Sequence, residues 1–161
     1  MNATPDPTSI AARRAWMAVF ARTPCAELEA ALDSALDGAA LPAFEWLRAP
    51  QIGLAMVRGR IGGTGDVFNV GEATVTRATL RLAADGVAPT VGVACHLGRD
   101  KRRAELAALA DALLQQPQRH PRLHARLVEP LAARLANQRE AKRQQVASTR
   151  VEFFTMVRGD A

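Results

Sequence analysis

GLAMVRGRIGGTGDVFNVGEATVTRATLRL, residues 53–82, holds two runs of alternating character joined by a glycine-rich turn. Successive side chains of a strand point to opposite faces. Leu54, Met56, Arg58 and Arg60 therefore share one face of the first run, with Ala55, Val57 and Ile61 on the other. In the second run Val75, Arg77, Thr79 and Arg81 share a face, opposite Thr74, Thr76, Ala78, Leu80 and Leu82. Between the runs, Gly62, Gly63 and Gly65, with Thr64 among them, permit backbone conformations closed to other residues.

Two chemistries fit this stretch. Consecutive N–H groups of a glycine turn can form an anion-binding concavity, and arginine forks match phosphate oxygens. Arg58, Arg60, Arg77 and Arg81 with Gly62–Gly65 are thus candidates to hold a phosphate or phosphonate. The same glycines equally serve a hairpin, and the same arginines a solvated sheet face. The spacing matches neither the phosphate loop of nucleotide triphosphatases nor a dinucleotide-binding turn opening a helix.

Around this centre the chain reads as α+β. Thr8 or Ser9 can cap a first helix in which Ala12, Ala15, Trp16, Val19 and Phe20 recur at helical spacing. Thr23-Pro24 suits the start of a second helix, with Leu28, Ala31, Leu32 and Ala35 as its stripe and Gly38 as its stop. Cys25 near that start could have a lowered pKa, or be an ordinary small residue. Phe44–Arg48 reads as a short strand, Val67–Val70 as another, and Thr90–Leu97 as a mostly apolar central strand. The expectation is an antiparallel sheet of four to five strands, preceded by two helices and followed by one helix and a long C-terminal helical region.

Asp100 can cap the helix after the sheet, whose stripe is Leu106, Leu109, Ala110, Leu113 and Leu114. Arg99, Lys101, Arg102 and Arg103 crowd its first turn against the helix dipole, which makes Arg99 and Lys101 further anion candidates or part of a solvated basic turn. Pro117 ends that helix. A last helical region spans about 123–157 with a break or restart at Pro130. From Arg119 to Arg150 it carries 8 basic and 2 acidic residues. So polar a helix bridges solvent or lies on another protein. Phe153, Phe154, Met156 and Arg158 near the end are candidate partner contacts, because apolar surface there faces more than one way. Residues 1–7 read as a loose tail, 8–161 as one domain, and 119–161 as its partner-binding extension.

With 161 residues, 48% of them apolar, the chain can build one core. Its net charge of +5 is uneven: residues 1–50 carry 4 basic and 6 acidic groups, residues 51–161 carry 17 and 10. That balance favours anionic partners without choosing among phosphorylated small molecules, nucleic acid and acidic proteins. Aromatics at 4% argue against a base-stacking surface, although a basic nucleic-acid-binding module stays open as the alternative. Cys25 and Cys95 form neither a zinc framework nor a disulfide scaffold, and His120 and His124 lack a third ligand. His96 reads as a sheet histidine. No apolar run is long enough to span a bilayer, and a reduced, cytoplasmic protein is expected. No catalytic constellation emerges.

Four phrases, RRAWMAVFA (13–21), MVRGRIGGTGDVFNVGEATVTRATLRL (56–82), LGRDKRRAELAALADAL (97–113) and VEFFTMVRGD (151–160), together resemble the PhnG family, subunits of the bacterial carbon–phosphorus lyase core complex. The resemblance runs through nearly the whole chain. It implies paired copies assembled with PhnH-, PhnI- and PhnJ-like subunits, working also with a PhnL-like nucleotide-binding-cassette protein. It implies a non-catalytic or co-catalytic part in displacing adenine from MgATP by methylphosphonate, giving α-D-ribose 1-methylphosphonate 5-triphosphate. No cofactor is expected on this chain alone, MgATP being a substrate of the complex. The resemblance carries over no catalytic residue.

Overall fold

The computed structural model describes residues 9–82 and 89–148. Two helices, α1 (Ile10–Phe20) and α2 (Cys25–Ala35), precede a sheet of β1 (Phe44–Arg60), β2 (Val67–Leu82) and β3 (Thr90–Leu97). Helix α3 (Lys101–Leu114) follows, then α4 (His120–Leu123), a π-helical turn (His124–Val128) and α5 (Glu129–Ser148).

The described sheet has three antiparallel strands in the order β1-β2-β3 rather than four or five. The expected short strands are the ends of longer ones. Phe44–Arg48 continues into β1 because Pro50, which cannot donate to a ladder, sits on an edge strand where register shifts absorb it. Val67–Val70 is the start of β2, with a register shift opposite Val57 and Arg58. The central strand is β2; β3, expected in the middle, lies at the edge. Gly92 and Ala94 pack against α3 while Val91, Cys95 and Leu97 stay exposed, so the apolar sequence of β3 does not mark a strand covered on both faces.

Capping begins the helices much as the residues suggest. Ser9 Oγ accepts from Ala12 N at 3.1 Å, and Asp100 Oδ1 accepts from Arg103 N at 2.9 Å. Thr23 differs: its hydroxyl donates to Val19 O at 3.0 Å, closing α1 instead of capping α2. Gly38, at φ 69°, ends the second helix by donating to Asp33 O at 3.0 Å.

Helix α3 is the centre of the core. An apolar stripe was the expectation, yet every residue from Leu106 to Leu114 is buried. The sheet covers one side, with α1, α2 and α4 around the rest. Such a helix is rich in alanine because backbones approach closely. A Cβ on Gly92 would stand 1.9 Å from Ala108 O. Trp16, Phe20, Leu28, Leu32, Leu80 and Leu127 pack around it, each worth about 1.5–3 kcal/mol of transfer free energy.

The segment from His120 to Ser148 is helical throughout. Pro121 stands in the first turn of α4, where proline is tolerated because its N–H would be unpaired anyway. Pro130 does not break the helix either. Its ring would clash with the Arg126 carbonyl in α geometry, and the widened turn relieves this, with Glu129 N donating to His124 O. Beyond Leu135 every described residue of α5 is exposed, as its polar sequence requires.

Candidate functional site

Strand β3 pairs with β2 only from Val75 to Leu82. The β1–β2 ladder runs on to Arg60↔Val67. Residues 54–74 therefore form a two-stranded ribbon beyond the three-stranded sheet, and none of them is buried. At about 3.3 Å per residue it is roughly 23 Å long. The glycine turn sits at its tip.

The sheet's faces now have sides. Thr76, Ala78, Leu80 and Leu82 face the helices and are buried, while Arg77 and Arg81 are exposed on the opposite face. Arg81 lies 3.5 Å from Glu45 on the neighbouring strand. Arg58 and Arg60 are out on the ribbon, paired with Asn69 and Val67. Asn69 and Arg77 are about 27 Å apart along β2. The four arginines do not converge, because a hairpin brings together residues equidistant from its turn, and Arg77 and Arg81 meet Gln51 and Glu45 instead. One anion cannot touch both pairs.

The turn is closed on itself. Thr64 N and Gly65 N both donate to Ile61 O, the second at 2.8 Å. Gly62 and Gly63 have φ of 59° and 84°, and a Cβ on Gly65 would lie 2.8 Å from Ile61 O. Hairpin geometry accounts for these glycines. Arg60 Nη1 donates to Gly65 O at 3.2 Å. Arg58 has no ion pair among the described residues. Arg99 and Lys101 are exposed at the β3–α3 junction, near the ribbon's base, where Gly98 N donates to Thr74 O at 2.9 Å. Phe153, Phe154, Met156 and Arg158 lie outside the described residues.

His96 staples that junction, its ring nitrogens 3.0 Å from Leu97 O and 2.9 Å from Asp100 O. Cys25 departs from the lowered pKa considered for it. Burial and then the Asp100 carboxylate push its thiol up. His120 and His124 do share a face, with ring centroids 5.5 Å apart. They line a cavity of about 300 Å³ with Trp16, Ala12, Ala15 and Glu129. Among the described residues no group of three His, Cys, Asp or Glu could hold a metal.

Sequence reasoning passed over Asp111, which is fully buried in α3. Its carboxylate accepts from Arg13 Nη2 (2.7 Å), Trp16 Nε1 (2.9 Å) and Val93 N (2.9 Å). The available signal was one acid inside an otherwise apolar helical run.

The fold is that of a small α+β domain bearing a projecting two-stranded ribbon. Residues 11–159 match the family described as phosphonate metabolism protein PhnG. A curated relative from Rhizobium meliloti (strain 1021), α-D-ribose 1-methylphosphonate 5-triphosphate synthase subunit PhnG, is 46% identical over 157 residues, covering 98% of this chain and 96% of that one. The chain belongs to the PhnG family. Among the described residues no helix is long and apolar enough to cross a membrane.

Proposed function

We propose that this chain is a subunit of an α-D-ribose 1-methylphosphonate 5-triphosphate synthase in phosphonate catabolism, a cytoplasmic assembly element without a self-sufficient active site. The observation that carries the reading is the end-to-end match to a relative bearing that name. Two elements that leave the core support it: the 54–74 ribbon with its exposed apolar side chains, and the uncovered second half of α5. Both are surface in search of cover. The partners are PhnH-, PhnI-, PhnJ- and PhnL-like subunits, and MgATP and methylphosphonate are substrates of the whole. Co-expression with those subunits followed by native mass spectrometry tests this. A discrete complex holding two copies is expected; a chain that stays a lone monomer overturns it.

A second reading is that Arg58 and Arg60 touch an anionic substrate inside the assembly, favoured by their shared face at the ribbon tip and the absence of an acid paired with Arg58 among the described residues. Replacing both with alanine then lowers substrate turnover and leaves assembly intact. Equal loss of both properties rejects it.

A further inference from the structure

We infer that the ribbon of residues 54–74 is a wedge that enters an apolar cleft of another subunit and is gripped on both faces. This rests on the subunit reading above and says how the contact is made.

Register sorts the ribbon's side chains. Leu54 pairs with Thr74 and Met56 with Glu72. They share the face of Ile52 and Thr76, which continues the helix-packed side of the sheet beyond the helices. On the opposite face Val57 pairs with Gly71, and Gly59 with Phe68. A Cβ on Gly59 would come within 2.9 Å of Val70 Cγ2 and 3.6 Å of the Phe68 ring, so both side chains lie across that glycine. Leu54 and Met56 are 59% and 51% exposed; Phe68 and Val70 are 47% and 60% exposed. Large apolar side chains therefore stand in solvent on both sides of one two-stranded ribbon.

An antiparallel sheet with one wet side alternates apolar with polar residues. Two apolar faces need two walls. A flat partner covers one face and leaves the other wet, and so does a second copy of the ribbon crossing this one. Area argues the same way. The ribbon is roughly 23 Å by 10 Å. One face offers a few hundred Å², the size of incidental contacts, whereas both faces, the edges and the tip together approach the ~800 Å² per partner of a stable interface. Charge describes the end of the cleft. Arg58 and Arg60 follow Leu54 and Met56 on the same face toward the tip, so the wall there carries carboxylates for Arg58, and the wall opposite Met56 accommodates Glu72.

The test uses the full chain co-expressed with the other synthase subunits. Met56→Asp alters one face and Phe68→Asp the other; both side chains are exposed, and circular dichroism and thermal unfolding of the isolated variants check that the fold is kept. Each substitution alone should lower recovery of the complex at least tenfold. In the wild-type complex, with no substitution, hydrogen exchange across 54–74 should slow on both strands. Sensitivity confined to one face overturns the cleft, as does unchanged exchange in the ribbon. A dimer of the isolated chain that both variants dissociate, while assembly with partners persists, assigns the ribbon to self-association and also overturns it. Wild-type chain that joins no partner rejects the subunit reading itself and this inference with it; wild-type assembly that both variants match rejects this inference alone.

Discussion

Asp111 grips Arg13 through two bonds, Nε at 3.1 Å and Nη2 at 2.7 Å, from a position in α3 with no solvent exposure. The same carboxylate takes the Trp16 indole and the Val93 amide, so it ties α1, β3 and α3 at one point. A buried carboxylate is tolerable only with this many donors. The tie also joins two phrases far apart in sequence, RRAW and ADAL.

Removing the acceptor leaves a buried indole N–H and a strand amide without a partner. Asp111→Ala should cost about 3–5 kcal/mol of folding free energy. Arg13→Lys, which keeps a charge but loses the fork, should cost less, about 1–2 kcal/mol. Urea unfolding followed by circular dichroism measures both; no loss in Arg13→Lys would mean that the fork geometry is immaterial.

Gly92 is where α3 rests on the sheet. Its missing side chain lets Ala108 O approach, and a Cβ would sit 1.9 Å from that oxygen and 2.9 Å from the Ala112 Cβ. Backbone cannot swing aside as a flexible side chain does. Gly92→Ala should therefore destabilise by about 1–3 kcal/mol or more. Gly53→Ala, with nothing within 4 Å of its Cβ, should change little. A difference in thermal midpoint between the two variants is the readout, and matching midpoints would contradict the close approach.

How much of this was legible beforehand depends on range. Local signals read well: Ser9 and Asp100 cap, Gly38 stops α2, and alternation in 75–82 sorts Arg77 and Arg81 from Leu80 and Leu82. Signals that need tertiary distance did not. Pro50 looks like a break between strands until its edge position is known, and Thr90–Leu97 looks central because it is mostly apolar, yet Val91, Cys95 and Leu97 stand exposed on the outer face of an edge strand. Arg58 and Arg77 look like neighbours around one turn, yet a hairpin folds about its tip and sets them far apart along the ladder. Asp111 was passed over because its one local signal, an acid within an apolar helical run, does not reveal the donors from Arg13, Trp16 and Val93 that lie far off in sequence.

The Asp37 carboxylate receives Arg122 and Arg126 from the C-terminal helical run. The hydrogen bond from Arg126 holds its pKa below the usual carboxylate value. A lowered folded-state pKa contributes stability that is present above the unfolded pKa, about 3.9, and is lost as pH falls through the lower folded value. Asp37→Asn should thus lower the thermal midpoint slightly at neutral pH, and the gap to wild type should close on acidification below about pH 4. Added salt should narrow it too, since the pairs are exposed. A gap that persists unchanged at low pH would show that Asp37 acts through its backbone, at φ 55°, and not its charge.

The two thiols should differ in reactivity. Cys95 is exposed on the outer face of β3, whereas Cys25 is partly buried at the start of α2, with its pKa raised by burial first and then by Asp100. Thiolate is the reacting form, so raising a thiol's pKa slows alkylation at neutral pH. Iodoacetamide at pH 7.5 should label Cys95 at least several-fold faster than Cys25, read by peptide mass spectrometry. Asp100→Asn should speed Cys25 by removing a neighbouring negative charge, and Cys95, on a different face, serves as the internal control. If Cys25 reacts first, the thiol is activated by the α2 N-terminus after all, and burial is not what governs it.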